Sequence, residues 1–145
     1  NELQKCNSST TVPLLYSCKF STNAFYCNVC KILFHIGVNF LIRKMAGSTT
    51  STVELVKLDD GSYSFNTIST FRTQELKFKP EEEFTEKRMD GEEVPCTIIF
   101  DGNKMIQTQK AKKPVTIERE FTETELIATC KVGDVVSTRW FKAVD

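Results

Sequence analysis

Residues 114–143 read PVTIEREFTETELIATCKVGDVVSTRWFKA, and their period-two alternation decides the fold class. Over 115–121, Val115, Ile117, Arg119 and Phe121 share one face, while Thr116, Glu118 and Glu120 share the other. Over 134–143, Val135, Ser137, Arg139, Phe141 and Ala143 fall together, opposite Val136, Thr138, Trp140 and Lys142. Both of those sets contain apolar residues, so alternation alone leaves the inward face open. With Arg139 inward, two guanidinium groups from strands separated by one neighbour enter the same interior.

Working outward, the same punctuation repeats back to Gly47. Turn signals stand at Asp59-Asp60-Gly61, Asp90-Gly91, Asp101-Gly102, Lys113-Pro114 and Gly133-Asp134. Between them lie nine segments rich in Val, Ile, Thr, Phe and Tyr: 51–58, 62–69, 74–79, 83–89, 94–100, 103–110, 115–121, 125–132 and 134–143. Links this short pair each strand antiparallel with the next, which makes a meander. A long meander hides its edges by closing into a barrel, and eight or more strands enclose room for a small ligand.

Two cations inside such a barrel cost several kcal/mol each unless water, a protein carboxylate or a bound anion answers them. No acidic residue lies on either inferred inner face, so a ligand carboxylate is one candidate, matched to the guanidinium fork by two parallel hydrogen bonds. The other reading has the arginines at strand ends, stretching along the wall to solvent. The alternation does not choose between them.

Composition narrows the functions. The 145 residues suit one domain, and 19 Lys plus Arg against 19 Asp plus Glu leave no basic surplus for nucleic acid or an anionic membrane. The single histidine, His35, removes the common catalytic triads and most zinc sites. The averages conceal a division, however. Residues 1–36 contain one acidic residue, Glu2, no glycine, and four of the six cysteines (Cys6, Cys18, Cys27 and Cys30). Their most apolar stretch, 24–42, is interrupted by Asn28, Lys31, His35 and Asn39 and falls short of the ~20 nearly continuous apolar residues of a spanning helix. No small-residue cleavage site of a secretory signal follows it.

Residues 37–46 (GVNFLIRKMA), 69–78 (STFRTQELKF), Glu83-Phe84, 100–110 (FDGNKMIQTQK), 116–119 (TIER) and 135–141 (VVSTRWF) together resemble the intracellular fatty-acid-binding proteins, the insect members most, within the wider group of cellular lipid- and retinoid-binding proteins. The likeness runs in order over 37–145. It implies an all-β, up-and-down antiparallel barrel of ten strands, lipocalin-like, with a helical lid over a water-filled cavity for one long-chain fatty acid or similar apolar carboxylate. It also implies a cytoplasmic monomeric carrier, with no cofactor, metal or catalytic residue, no nucleic-acid partner, and transient membrane contact during transfer.

The family binds the carboxylate with two arginines and a tyrosine two residues past the second. Arg119 and Arg139 stand at the arginine positions, and Phe141 replaces the tyrosine, keeping the ring but losing the hydroxyl donor. Val38, Phe40 and Leu41 match the second lid helix, Phe71 the aromatic turn at the portal, and Gln107 and Gln109 polar cavity positions. Pro80 and Glu81 stand where the family usually has Leu-Gly.

The likeness stops at Gly37. The family's first strand and first lid helix have no counterpart motif in residues 1–36, and Phe34-His35-Ile36-Gly37 can be encoded by a pyrimidine-rich run ending in AG. This divides the chain into 1–36, an atypical segment read as translated intron or a misassigned exon, and 37–145, the barrel. Thr10 to Phe20 has β-compatible side chains for a substitute first strand, weakened by Pro13. Residues 24–44 are compatible with a lid helix longer than the family's.

Cys27-Asn28-Val29-Cys30 has thiol-oxidoreductase spacing, but no second ligand pair follows and the all-strand pattern opposes a thioredoxin-like fold. Cys130 shares a face with Leu126 and Ala128 and reads as a small interior residue, with a modifiable thiol as the sharper alternative. Three readings are carried forward: the intracellular carrier, an incomplete barrel that binds no lipid, and a secreted lipocalin-like carrier stapled by the early cysteines.

Overall fold

The computed structural model describes residues 18–22, 36, 37, 39, 50–70, 72–88 and 90–144. Ten strands form one antiparallel sheet: β1 (Cys18–Thr22), β2 (Ser51–Lys57), β3 (Tyr63–Ser69), β4 (Thr73–Phe78), β5 (Glu83–Lys87), β6 (Glu93–Asp101), β7 (Lys104–Gln109), β8 (Val115–Phe121), β9 (Glu125–Val132) and β10 (Val135–Ala143). Nine of these correspond to the nine expected after Gly47. Their order is β4-β3-β2-β1-β10-β9-β8-β7-β6-β5, so the sheet curls until its two ends, β4 and β5, come together. The result is a nearly closed barrel, and the expected helical lid falls outside the described residues.

The tenth strand comes from the atypical N-terminal segment. β1 lies between β2 and β10, with Phe20 opposite Val53 on one side and Ala143 on the other. It overlaps the expected 10–20 segment only at Cys18 to Phe20 and extends beyond it to Thr22. A strand hydrogen-bonded on both sides requires backbone N–H groups that proline lacks, and Cys18–Thr22 has none missing. Lys19 is exposed and Phe20 is buried, so even this short strand alternates correctly.

Hairpin turns follow the expected chemistry. Gly91 and Gly102, in the β5–β6 and β6–β7 connections, have φ of +86° and +60°, where a side chain is strained and glycine is not. The β4–β5 connection differs, because Glu81 itself holds φ +70° while its N–H donates to the Ile98 carbonyl at 2.9 Å. This is the position where the resemblance places glycine.

Inward side chains plug one end of the barrel. Tyr63, Phe78, Phe84 and Phe100 form a chain of ring contacts, with centroids 4.9 Å apart for Tyr63–Phe100 and 6.1 Å for Phe78–Phe84. Phe20 meets Phe121 edge-on at 5.8 Å. Leu55, Ile98, Met105 and Leu126 fill the remainder of this buried core. No helix among the described residues is long and apolar enough to cross a membrane.

Candidate functional site

Beyond that plug the interior opens into a cavity of about 260 Å³. Val53, Phe65, Leu126, Ala128 and Phe141 give it apolar walls, while Glu86, Arg88, Asp90, Arg119 and Arg139 bring charge. The backbone register explains why the two expected arginines meet there. Ala128 of β9 is opposite Arg119 of β8 on one side and Arg139 of β10 on the other. Residues directly opposite in an antiparallel ladder point to the same face, so the three form one row across three strands with a methyl group at its centre. The open question of which face of β10 turns inward is answered by Ser137 and Phe141, both buried, and by Val136 and Trp140, both exposed.

Each guanidinium lies on an aromatic face. The Arg119 Cζ is 4.5 Å from the centroid of Phe65, and the Arg139 Cζ is 5.4 Å from that of Phe141. Phe141 therefore keeps one function at the tyrosine position: its ring supports the neighbouring cation, although no hydroxyl can donate to a headgroup.

An internal carboxylate, which the two arginine strands alone did not reveal, balances part of this charge. Arg119 Nη1 donates to Gln107 Oε1 at 2.8 Å, and Gln107 Nε2 donates to Glu86 Oε2 at 2.7 Å. Gln109 Nε2 donates to the same oxygen at 2.9 Å, and Gln74 Nε2 donates to Glu86 Oε1 at 3.2 Å. The amide orientation of Gln107 is fixed by charge. Reversed, its NH₂ would face the guanidinium and its oxygen would face the carboxylate, leaving two buried repulsions. Burial pushes the Arg119 guanidinium down to about 10, against the opposing pull of Glu86, and it remains a cation at neutral pH.

Sequence alternation contained the signal for Glu86. Phe84 and Glu86 are two residues apart on β5, and Phe84 packs against the core, so the carboxylate must point inward too. Arg88 continues that face beyond the end of β5. It is 7% exposed and clamped by Asp90, at 3.3 Å from Nε and 2.6 Å from Nη2, and by Glu92 at 2.9 Å from Nη2.

Gln109 lines the cavity, whereas Gln107 is fully buried as the link between Arg119 and Glu86. Cys130 also lines the cavity, opposite Ile117 and Ser137 in the row next to the arginines. Cys96 is a different kind of thiol: buried beside Gln107 Nε2 at 3.4 Å, it is pushed up to about 12 chiefly by desolvation, with Glu86 adding to the rise. Such a group is an inert core residue. Val38, Phe40, Leu41 and Phe71 lie outside the described residues, as do Cys6, Cys27 and Cys30.

An antiparallel barrel plugged at one end, with a partly charged cavity in the rest, belongs to the class of β-barrel carriers of small apolar ligands. The sequence profile of the lipocalin / cytosolic fatty-acid binding protein family matches residues 28–144, and the chain belongs to that family. A fatty acid-binding protein of Tyrophagus putrescentiae is 46% identical over 111 residues, covering 76% of this chain and 84% of that one.

Among solved structures, the fatty acid-binding protein from brain tissue of Drosophila melanogaster superposes with a TM-score of 0.77 at 40% identity, covering 88% of this chain and 96% of the other. A Schistosoma mansoni fatty acid binding protein in complex with arachidonic acid gives 0.78 at 28% identity, over 90% and 95% of the two chains. The protein is a lipid-binding carrier of this family, whose members bind and transport and are not enzymes.

Proposed function

We propose that the protein carries a long-chain fatty acid, with the carboxylate held between Arg119 and Arg139 and the acyl chain along Val53, Phe65, Leu126 and Phe141. The observation that carries this reading is the Arg119–Ala128–Arg139 row. It presents two cations to one headgroup from a backbone-fixed spacing, inside a wall otherwise suited to an alkyl chain. A carboxylate accepts paired hydrogen bonds from a guanidinium and shares the desolvation cost of the buried charge. The arachidonic acid bound by the Schistosoma relative supports an acyl carboxylate as the ligand class.

The pairing of β1 with both β2 and β10 supports a complete wall and weighs against a barrel that cannot hold lipid. The reading needs no cofactor, and it has the protein acting as a cytoplasmic monomer that touches membranes only to exchange ligand.

Titration of the delipidated protein with a fluorescent fatty acid, followed by competition with oleate, tests the proposal. Saturable one-site binding is expected, with Arg139→Leu weakening oleate by about 10- to 100-fold, the value of a hydrogen bond to a charged group. A soluble, folded protein that binds no oleate would defeat it.

A further inference from the structure

The charged side chains that line the cavity, among the described residues, are three guanidiniums and two carboxylates: Arg88, Arg119, Arg139, Glu86 and Asp90. They do not contribute equally. Arg88 and Asp90 form a two-pronged pair at the β5–β6 turn, with Glu92 as a further, exposed partner, so the Arg88 charge is met locally. Among the described side chains that line it, the deep part of the site then holds Arg119, Arg139 and Glu86, which sum to one unit of positive charge.

Glu86 cannot leave this arrangement. Its Oε2 accepts from Gln107 and Gln109, and its Oε1 accepts from Gln74 across the seam between β4 and β5. Among the described residues, Glu86 also acts on Arg119, reached through Gln107, and on the buried thiol of Cys96. The carboxylate is thus a fixed negative charge, held by neutral amides in a low-dielectric interior and joined to one of the headgroup cations.

Resting on the carrier reading, we propose that Glu86 limits the ligand headgroup to a single negative charge. A monoanion brings the deep site to neutrality. A dianion overshoots it, placing an excess charge near a buried carboxylate that three amide hydrogen bonds hold in place. Glu86 is therefore a specificity-determining residue that need not touch the lipid. The excluded class is lipids with a phosphate monoester head, and the accepted class is singly charged carboxylates and sulfates on the same alkyl chain.

Hexadecyl sulfate and hexadecyl phosphate separate charge from shape, since the two heads are both tetrahedral and differ mainly in ionisation. Each competes with a fluorescent fatty acid, as monomers, against the wild-type chain and Glu86→Gln at about pH 8, where the phosphate monoester is mostly dianionic. The wild type is expected to favour the sulfate by about tenfold or more, and Glu86→Gln to shrink that ratio at least about fivefold. A second measurement needs no variant. Lowering the pH to about 5 converts the phosphate to a monoanion, since its second ionisation lies near 6, and the wild-type preference for sulfate should largely vanish.

Equal affinities at about pH 8 in the wild type, or one ratio shared by wild type and a folded Glu86→Gln, would overturn the assignment. So would a sulfate preference that persists unchanged at the lower pH. Binding of oleate and hexadecyl sulfate with any of these results removes only the role of Glu86, whereas failure of oleate to bind removes the carrier reading and this inference together.

Discussion

Two sides of the barrel are built on different principles. Along β1, β10, β9 and β8 the wall is an unbroken ladder, with each strand hydrogen-bonded to two neighbours and the arginine row set by backbone register. Between β4 and β5 there is no ladder, because these strands are the two ends of the sheet. Side chains bridge that seam instead. Phe78 stacks on Phe84 near the connecting loop, and Gln74 Nε2 reaches both Glu86 Oε1 at 3.2 Å and the Lys87 carbonyl at 3.3 Å. The ladder positions charge with little side-chain freedom, whereas the seam depends on rotamers that can be removed one at a time.

Substitutions on the ladder side should therefore cost most. Phe20→Ala, in the short strand joining β2 to β10, removes a buried ring that packs on Phe121 and should lower unfolding free energy by about 3–5 kcal/mol in urea denaturation. A loss under ~1 kcal/mol would show that the wall does not rely on β1 and would break the contrast.

Raising the pH probes the arginine row without mutation. The Arg119 cation is present below about 10 and is lost above it, so oleate affinity should hold from neutrality to mildly alkaline pH and fall as the pH passes that value. The sign follows from the group: a guanidinium displaced downward loses its charge earlier than a free one. Affinity independent of pH up to strong alkali would place the headgroup elsewhere.

At the seam, effects should be smaller. Gln74→Ala removes one amide bridge, costing about 1 kcal/mol of stability, with faster amide exchange confined to the β4 and β5 edges. Uniformly faster exchange around the whole barrel would instead make the seam part of one cooperative unit with the ladder.

The smallest effect should have the opposite sign. Glu81→Gly relieves a left-handed backbone at φ +70° and, after the entropy cost of glycine, should raise the urea midpoint by the equivalent of about 0.5–1 kcal/mol. A lowered midpoint would mean that the Glu81 side chain contributes more than its backbone costs.

Much of this was legible in the sequence because it depends on local rules. Period-two alternation and Asp-Gly turns located nine strands, and the same alternation put Arg119 and Arg139 on common faces with Ile117 and Phe141. The atypical first segment was harder, since the Cys18–Thr22 strand is only five residues long and follows no turn signal of its own. Its pairing is decided by the two open edges that flank it, which are far away in sequence.

By itself the sequence determined an antiparallel barrel and the face-mates of Arg119 and Arg139, because side-chain period and turn chemistry act over a few residues; that the Arg139 face turns inward was decided by the fold, which buries Ser137 and Phe141. Tertiary structure alone decided what surrounds those cations. Only when β4, β5, β7 and β8 curl toward one another do Gln74, Glu86, Gln107 and Arg119 become hydrogen-bonded neighbours, and a buried charge is paired by proximity in space, which strand alternation does not encode.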